Sequence, residues 1–350
     1  MSALVRRVIR HRLFWPVVAL LALILVNTIA RPSFVSITMQ NGQFYGPLID
    51  ILRNSAPLML VALGMTIVIA TRGIDLSVGA IMAVSGAVAL TIIAGSPDPN
   101  GIGTVLVAIL AGVLVSLVLG AWNGFLVAVV GVQPIIATLV LMLAGRGVAL
   151  LITGGFITTI NSDPYRFMAQ GYLLGLPFAF FVSLAAIGIV ATIERRTALG
   201  VLTEAVGINP EASRLAGVRS RGIVWGAYVA SGVLAGFAGI LYSSNIMAAD
   251  ANAAGLYIEM DAILAVVLGG TSLAGGKFSI AGTVIGVFTI QTLKSTITFL
   301  GVPPAVSPLF LAIVVVVVVL VQSARVRGWL GMLGERLRTR GSTDGAEVAS

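Results

Sequence analysis

Long apolar runs recur along this chain, and they fix its fold class before any motif is considered. A helix needs about 20 mostly apolar residues to cross a hydrocarbon core about 30 Å thick. About ten such runs are present, near residues 14–30, 54–71, 75–95, 103–130, 134–152, 174–193, 222–243, 260–273, 280–300 and 306–323. Most are built from Leu, Ile, Val and Ala without alternating polar positions, which fits lipid-facing helices rather than barrel strands. With 58% hydrophobic and only 10% charged residues in 350, the expected fold is an all-α integral membrane protein of about ten transmembrane helices.

The charges lie mainly outside the runs. Arg6, Arg7, Arg10 and Arg12 precede the first, Arg195, Arg196, Arg214, Arg219 and Arg221 sit in the central loop, and Arg325, Arg327, Arg336, Arg338 and Arg340 follow the last. The positive-inside rule puts all three regions in the cytoplasm. Six spans before the central loop and four after it satisfy that assignment. The chain then divides into a basic cytoplasmic leader (1–13), a transmembrane domain (14–323) holding a cytoplasmic loop (194–221), and a basic tail (324–350) whose small polar end, GSTDGAEVAS, reads as disordered. Segments 31–53, 96–102, 153–173, 244–259 and 301–305 fall outside the cell. They are too short to fold alone but adequate as a docking rim.

The net charge of +8 therefore reports topology, and a nucleic-acid reading has no soluble domain to rest on. Absence of cysteine excludes disulfides and thiolate metal sites. The lone His11 belongs to the leader. Arg31-Pro32 follows the first run without a small-residue cleavage site, so a retained first helix is expected rather than a secretory signal. Gly120 with Gly124, Gly232 with Gly236 and Gly282 with Gly286 have the small-xxx-small spacing of closely packed membrane helices.

Three segments stand out. In TRGIDLSVGA (71–80), Asp75 reads as the N-cap of the next helix. A charge at membrane depth costs about 2.5 to 3.5 kcal/mol on insertion scales, so Asp75 should face protein or water, and a broken helix beside a pathway is compatible with the cap. In AWNGFLVAVVGVQPIIATLVLMLAGRG (121–147), Asn123, Gln133 and Thr138 offer neutral hydrogen-bonding groups and Pro134 breaks the chain between two spans. Such a lining suits a polyhydroxylated solute, although the same residues can simply bond neighbouring helices. The glycines before Lys277 suggest a phosphate loop, but Thr271 and Phe278 occupy positions where that pattern needs Gly and Ser or Thr. A flexible cytoplasmic turn is the reading there, and any ATP-driven motor must lie in another subunit.

The central loop is a compact charged stretch between apolar runs. TEAVGINPEASRLAGV reads as a short helix, a turn at Gly207, a second helix opened by Asn209-Pro210, and a stop at Gly217. Helix pairs of this kind can seat in a cleft on a soluble partner. Paired acid/base residues, a histidine cluster and a nucleophile constellation are all missing, which sets an enzyme reading low.

Taken together, GMTIVIATRGIDLSVGA (64–80), WNGFLVAVVGVQPIIATL (122–139), GRGVA (145–149), TALGVLTEAVGINPEASRLAGV (197–218) and EMDAILAVVLGGTSLAGGKF (259–278) resemble the permease subunits of bacterial sugar ABC importers, the ribose and xylose permease family. NGQFYGPLIDILRNSAP (41–57) and ADANAAGLYIEMDAILAVV (249–267) look most like its galactofuranose-type members. The resemblance implies a type II ABC importer core in the bacterial inner membrane, importing a monosaccharide by alternating access. It also implies a second permease, identical or paralogous, a partner ATPase carrying ATP and Mg, and a periplasmic sugar-binding protein. No cofactor or metal is implied for this chain. Onto its residues the likeness carries a coupling role for Thr203, Glu204, Gly207, Asn209, Glu211, Ala212 and Gly217, and makes Asp75, Ser77, Asn123, Gln133 and Thr138 candidate pathway residues. Met260 stands where the family usually has Leu, a volume-conserving swap. The competing reading is an ion-coupled transporter or channel that needs no ATPase.

Overall fold

The computed structural model describes residues 13–301 and scattered positions from 303 to 316. The leader up to residue 12 with His11, most of the tenth run and the basic tail lie outside the described residues.

Twelve α-helices are described: α1 (Phe14–Ala30), α2 (Pro47–Ala70), α3 (Val78–Ala94), α4 (Ile102–Phe125, continued by a π-helical turn Leu126–Val130), α5 (Pro134–Ile152), α6 (Asp163–Gln170), α7 (Phe178–Arg196), α8 (Ala198–Ile208), α9 (Pro210–Leu215), α10 (Ser220–Ile246), α11 (Ile258–Leu268) and α12 (Ile280–Phe299). Six elements among the described residues, α2, α4 with its π turn, α5, α7, α10 and α12, are long and apolar enough to cross a membrane. A 3-10 turn (Pro32–Val35), two short hairpins and a long-range antiparallel pairing of Thr158–Thr159 with Ala248–Ala249 complete the secondary structure described.

α2 and α3 form the centre. Every residue from Leu58 to Ala70 except Ile67 is buried, as is nearly all of α3. α4 and α5 instead present Leu106, Leu110, Leu114, Val140, Leu143 and Leu151 outward, the surface a lipid tail requires. Inside such a bundle there is little hydrophobic driving force between helices, so close van der Waals packing must hold it. The spaced glycines supply that packing. Gly120 of α4 lies against the Gly232 backbone of α10, and Gly236 lies against Ser116. Gly282 and Gly286 of α12 receive the backbone of Gly269 and Ala265 beside α11.

Connections assigned to the same side of the membrane meet at the same end. At one end Phe44 N–H donates to the Gly175 carbonyl (2.9 Å), Asp163 N–H to Asn100 Oδ1 (3.0 Å) and Ile160 N–H to the Met247 carbonyl (3.2 Å). At the other, Gly276 N–H donates to the Ala70 carbonyl (2.9 Å) and the Arg72 guanidinium to the Ile208 carbonyl.

Several sequence boundaries move. α2 begins at Pro47, about two turns before the apolar run, because Pro at the first helical position starts the helix ahead of Asp50 and Arg53, where hydropathy is still low. Segment 153–173, read as a piece of the external rim too short to fold alone, contains the helix α6. The run 260–273 is helical only over Ile258–Leu268. Asp75 is not the N-cap: α3 starts at Val78 with Ser77 in the cap position, and Asp75 binds two residues ahead of it. Gly207 is not a turn but lies within α8.

Candidate functional site

Two irregular segments enter the bundle from opposite ends. Residues 71–77 leave α2 and turn back inward, so that α3 starts alongside the middle of α10, with Met82 against Gly239 and Gly86 against Ser243. Residues 250–257 descend from the other end and bring Gly255 onto Gly79, where a Cβ would stand 2.7 Å from the Gly79 carbonyl oxygen. Gly255 also has φ +63, a conformation that side chains disfavour, so glycine answers both demands. At 1.5 Å per residue, α3 and α11 extend only about 25 Å and 16 Å, less than a hydrocarbon core. These are discontinuous helices whose N-termini meet inside the protein, a recurrent arrangement in transporters.

Below that meeting point, toward the end bearing α8, lies a polar network. Asp75 Oδ1 accepts from Ser77 N–H (3.1 Å) and Ser77 Oγ (2.6 Å), and Oδ2 accepts from Ser231 Oγ (2.8 Å). Asn123 Nδ2 donates to Ser77 Oγ (2.8 Å), tying in α4. Thr138 Oγ1 donates to the carbonyls of Pro134 (2.9 Å) and Ile74 (3.3 Å), tying in α5. Asp75, Ser77, Asn123 and Thr138 are fully buried, and Asn123 Oδ1 has no hydrogen-bond partner. Four of the five residues singled out as pathway candidates thus converge on one knot. Gln133 does not join it: it stands exposed just ahead of α5, with no side-chain cap bond.

The central loop folds onto the ends of the core helices. Thr197 Oγ1 accepts from Leu199 N–H (3.1 Å) to start α8. Asn209 Oδ1 accepts from Glu211 N–H (3.1 Å) and Ala212 N–H (3.0 Å), with Pro210 at the first position of α9. Glu211 and Arg214 pair one turn apart, and that hydrogen bond holds the exposed Glu211 carboxyl below the usual range. Gly217 ends the pair with φ +86. Thr203 is on the buried face of α8. Gly207 packs so closely on the Ala70 carbonyl and Gly276 that a Cβ has no room. Glu204 shares a second cavity, of about 280 Å³, with Glu194, Arg195 and Ser279. One carboxylate oxygen of Glu194 is buried there without a partner.

Sequence reading missed a third group, at the opposite end. A cavity of about 260 Å³ opens between α2, α10, α11 and α12, bordered by Arg53, Asn54, Asn245, Asp261, Gln291 and Lys294. The Lys294 ammonium contacts the Asp261 carboxylate directly. Close by, the Arg146 guanidinium donates to the carbonyls of Ala251 (2.8 Å) and Ala254, anchoring the descending segment. None of the five pathway candidates borders this cavity. The signal that could have found it was simple: Arg146, Asp261 and Lys294 are ionisable groups inside apolar runs, and such residues are costly there unless functional or paired.

Residues 48–319 match the sequence model of a family described as branched-chain amino acid transport system / permease component. The chain is 45% identical over 322 residues to a galactofuranose transporter permease of Escherichia coli K12, covering 90% of this chain and 92% of that protein. It is 41% identical over 328 residues to a fructose import permease of Bifidobacterium longum (92% and 90% covered). A ribose import permease of Escherichia coli K12 is 36% identical over 312 residues (88% and 92% covered). No solved structure matches. A mostly helical bundle with discontinuous helices and a sequence matched over most of its length lead to one conclusion: this chain is a multi-pass membrane protein belonging to that transport-system permease family.

Proposed function

We propose that this chain is the translocation subunit of an ATP-driven importer that carries a monosaccharide across the bacterial cytoplasmic membrane. It works without chemical change to the sugar. Its relatives are named as importers or transporters of galactofuranose, fructose and ribose, and a sugar of that size class is the solute proposed here. ATP and Mg belong to a separate ATPase, an external sugar-binding protein delivers the solute, and a second permease, identical or paralogous, completes the pathway.

The observation that carries the coupling role is the seating of α8 on the core. Gly207 and Ile208 bear directly on Ala70 and Arg72, the hinge from which the chain turns back toward Asp75, and on the turn at Gly276. A push on α8 and α9 therefore reaches the segment that leads into α3 through Gly207 against the Ala70 and Gly276 backbone and through the Arg72 guanidinium on the Ile208 carbonyl. Thr203, Glu204, Gly207, Asn209, Glu211, Ala212 and Gly217 are the residues proposed for this role. Glu194 and Glu204, facing one cavity beside α8, offer carboxylates to a basic side chain of the ATPase. Asp75, Ser77, Asn123 and Thr138 are proposed as the inner barrier that must rearrange for the pathway to open inward, with Gln133 at its mouth.

The test is reconstitution of the chain with its ATPase and binding protein, measuring uptake of radiolabelled galactose, ribose and fructose. ATP-dependent uptake of at least one is expected, and Glu204→Arg should keep membrane abundance and ATPase activity while abolishing uptake. Uptake by the isolated chain driven by a proton or sodium gradient would overturn the proposal in favour of a secondary transporter.

A further inference from the structure

The outer cavity carries charges that already neutralise one another. Asp261, buried one turn into α11, pairs with Lys294 of α12. Arg53 donates to the Tyr172 hydroxyl, stacks over that ring at 5.2 Å and sits 3.8 Å from Asp50. Each cation bordering the cavity therefore has an acidic neighbour, and the buried Arg53 Nε is left as a donor without a partner. The remaining polar groups, the amides of Asn54, Asn245 and Gln291 and the Tyr242 hydroxyl, both donate and accept. Pro57, Leu58 and Leu241 add apolar wall. Amides and a charge pair together with apolar carbons are the complement of a sugar ring, which presents hydroxyls at its rim and C–H bonds on its face. The volume of about 260 Å³ lies just under the range of about 300 to 1,000 Å³ common for small-molecule sites, which restricts the occupant to a single ring.

The cavity also has a defined floor. Gly255 contributes to its lining and rests on Gly79, so the floor is the contact between the two discontinuous helices. A solute bound here touches the same backbone whose opposite face continues to the Asp75 network.

We propose that this cavity is the permease's own solute site, that it takes one neutral polyhydroxylated ring, and that ring hydroxyls insert between Asp261 and Lys294. The proposal rests on the sugar-permease reading and names where in the protomer the sugar is held. Lys294 would act as a binding residue, and Asp261 as the group that both positions it and accepts from the sugar.

The natural absence of cysteine permits a direct test in the assembled transporter. Gln291→Cys, in right-side-out vesicles, should react with a membrane-impermeant maleimide added outside. Galactose, ribose or fructose should slow that reaction roughly tenfold at an occupancy near nine-tenths, whereas the anion galacturonate should not. Ser36→Cys, an exposed position away from the cavity, should react equally with and without sugar. No reaction at Gln291→Cys, reaction that none of the three neutral sugars slows, or equal protection by galacturonate would each overturn the proposal. A second arm uses Lys294→Met, expected to lower uptake more than tenfold at unchanged membrane abundance, with Lys294→Arg restoring most of it. Unchanged uptake in Lys294→Met overturns the role of the pair. The two readings separate cleanly: ATP-driven uptake without sugar protection refutes the cavity alone, and protection in a chain that transports on an ion gradient refutes the ATP-driven mechanism alone.

Discussion

Gly207→Ala adds one methyl group at the point where α8 meets the core. The added Cβ would collide with the Ala70 carbonyl oxygen and with the backbone of Gly276, neither of which is the flexible end of a side chain. Relief requires α8 to lift away or the Gly276 N–H to Ala70 hydrogen bond of 2.9 Å to break. Overpacking of this kind costs about 1 to 3 kcal/mol, and each 1.4 kcal/mol is tenfold in an equilibrium. The seated form of α8 should therefore fall roughly 5-fold to 150-fold relative to the lifted form. Because the bundle is held by contacts elsewhere, Gly207→Ala should reach the membrane in normal amounts. ATPase activity in proteoliposomes should persist while ATP-dependent sugar uptake falls by at least about fivefold. Gly188→Ala, within α7 and outside the coupling helices, is the control, since a Cβ there meets nothing within 4 Å. Full uptake in Gly207→Ala, with the ratio of sugar moved to ATP hydrolysed unchanged, would refute the transmission of force through this contact.

Three other perturbations probe the remaining parts. Asp75→Ala strands the Ser77 N–H and two serine hydroxyls in a buried setting, at about 1 to 3 kcal/mol for each unsatisfied group, so folded protein in the membrane should fall, uptake should fall further because the inner barrier is disrupted, and Asp75→Asn should lose less of both; uptake falling only in proportion to abundance would make Asp75 a structural group and not part of the barrier. Asn209→Ala removes the cap of α9 at a cost of about 1 kcal/mol, and should loosen coupling without changing abundance, measured as moles of sugar per mole of ATP. Gly255→Val forces a branched side chain into φ +63 and onto the Gly79 backbone, and should reduce thermal stability in detergent by several degrees; an unchanged melting profile would mean that the two discontinuous helices do not bear on each other.

Fold class was legible in the sequence because apolar run length is a direct consequence of bilayer thickness. The paired helices of the central loop were legible too, since Asn209-Pro210 is a local capping signal and needs no partner to be read. Helix ends were legible only where local chemistry marked them. Hydropathy placed the start of the second span several residues late, because Asp50 and Arg53 are polar yet lie within the helix. The shortness of α11 was hidden for the opposite reason: Gly269, Gly270 and Leu273 keep the run apolar after the helix has stopped. The meaning of Gly207 was also inaccessible, because a glycine that permits a turn and one that permits a close approach are the same letter. Only the Ala70 carbonyl, 137 positions away in sequence, decides between them.

The polar residues divide along the same line. Asp75, Ser77 and Asn123 attracted notice because they stand in distinctive motifs, and they lie in a buried, almost fully hydrogen-bonded knot. Asp261 and Lys294 stand in unremarkable surroundings 33 residues apart, and only the antiparallel packing of α11 on α12 makes them a pair. That packing in turn depends on Gly282 and Gly286, whose missing side chains let the α11 backbone approach. The glycine spacing on α12 is therefore as much a determinant of the outer cavity as the charges that border it. Substituting Gly286 by Leu should push α11 away, part Asp261 from Lys294 and remove sugar protection at Gln291→Cys even though no residue bordering the cavity has changed.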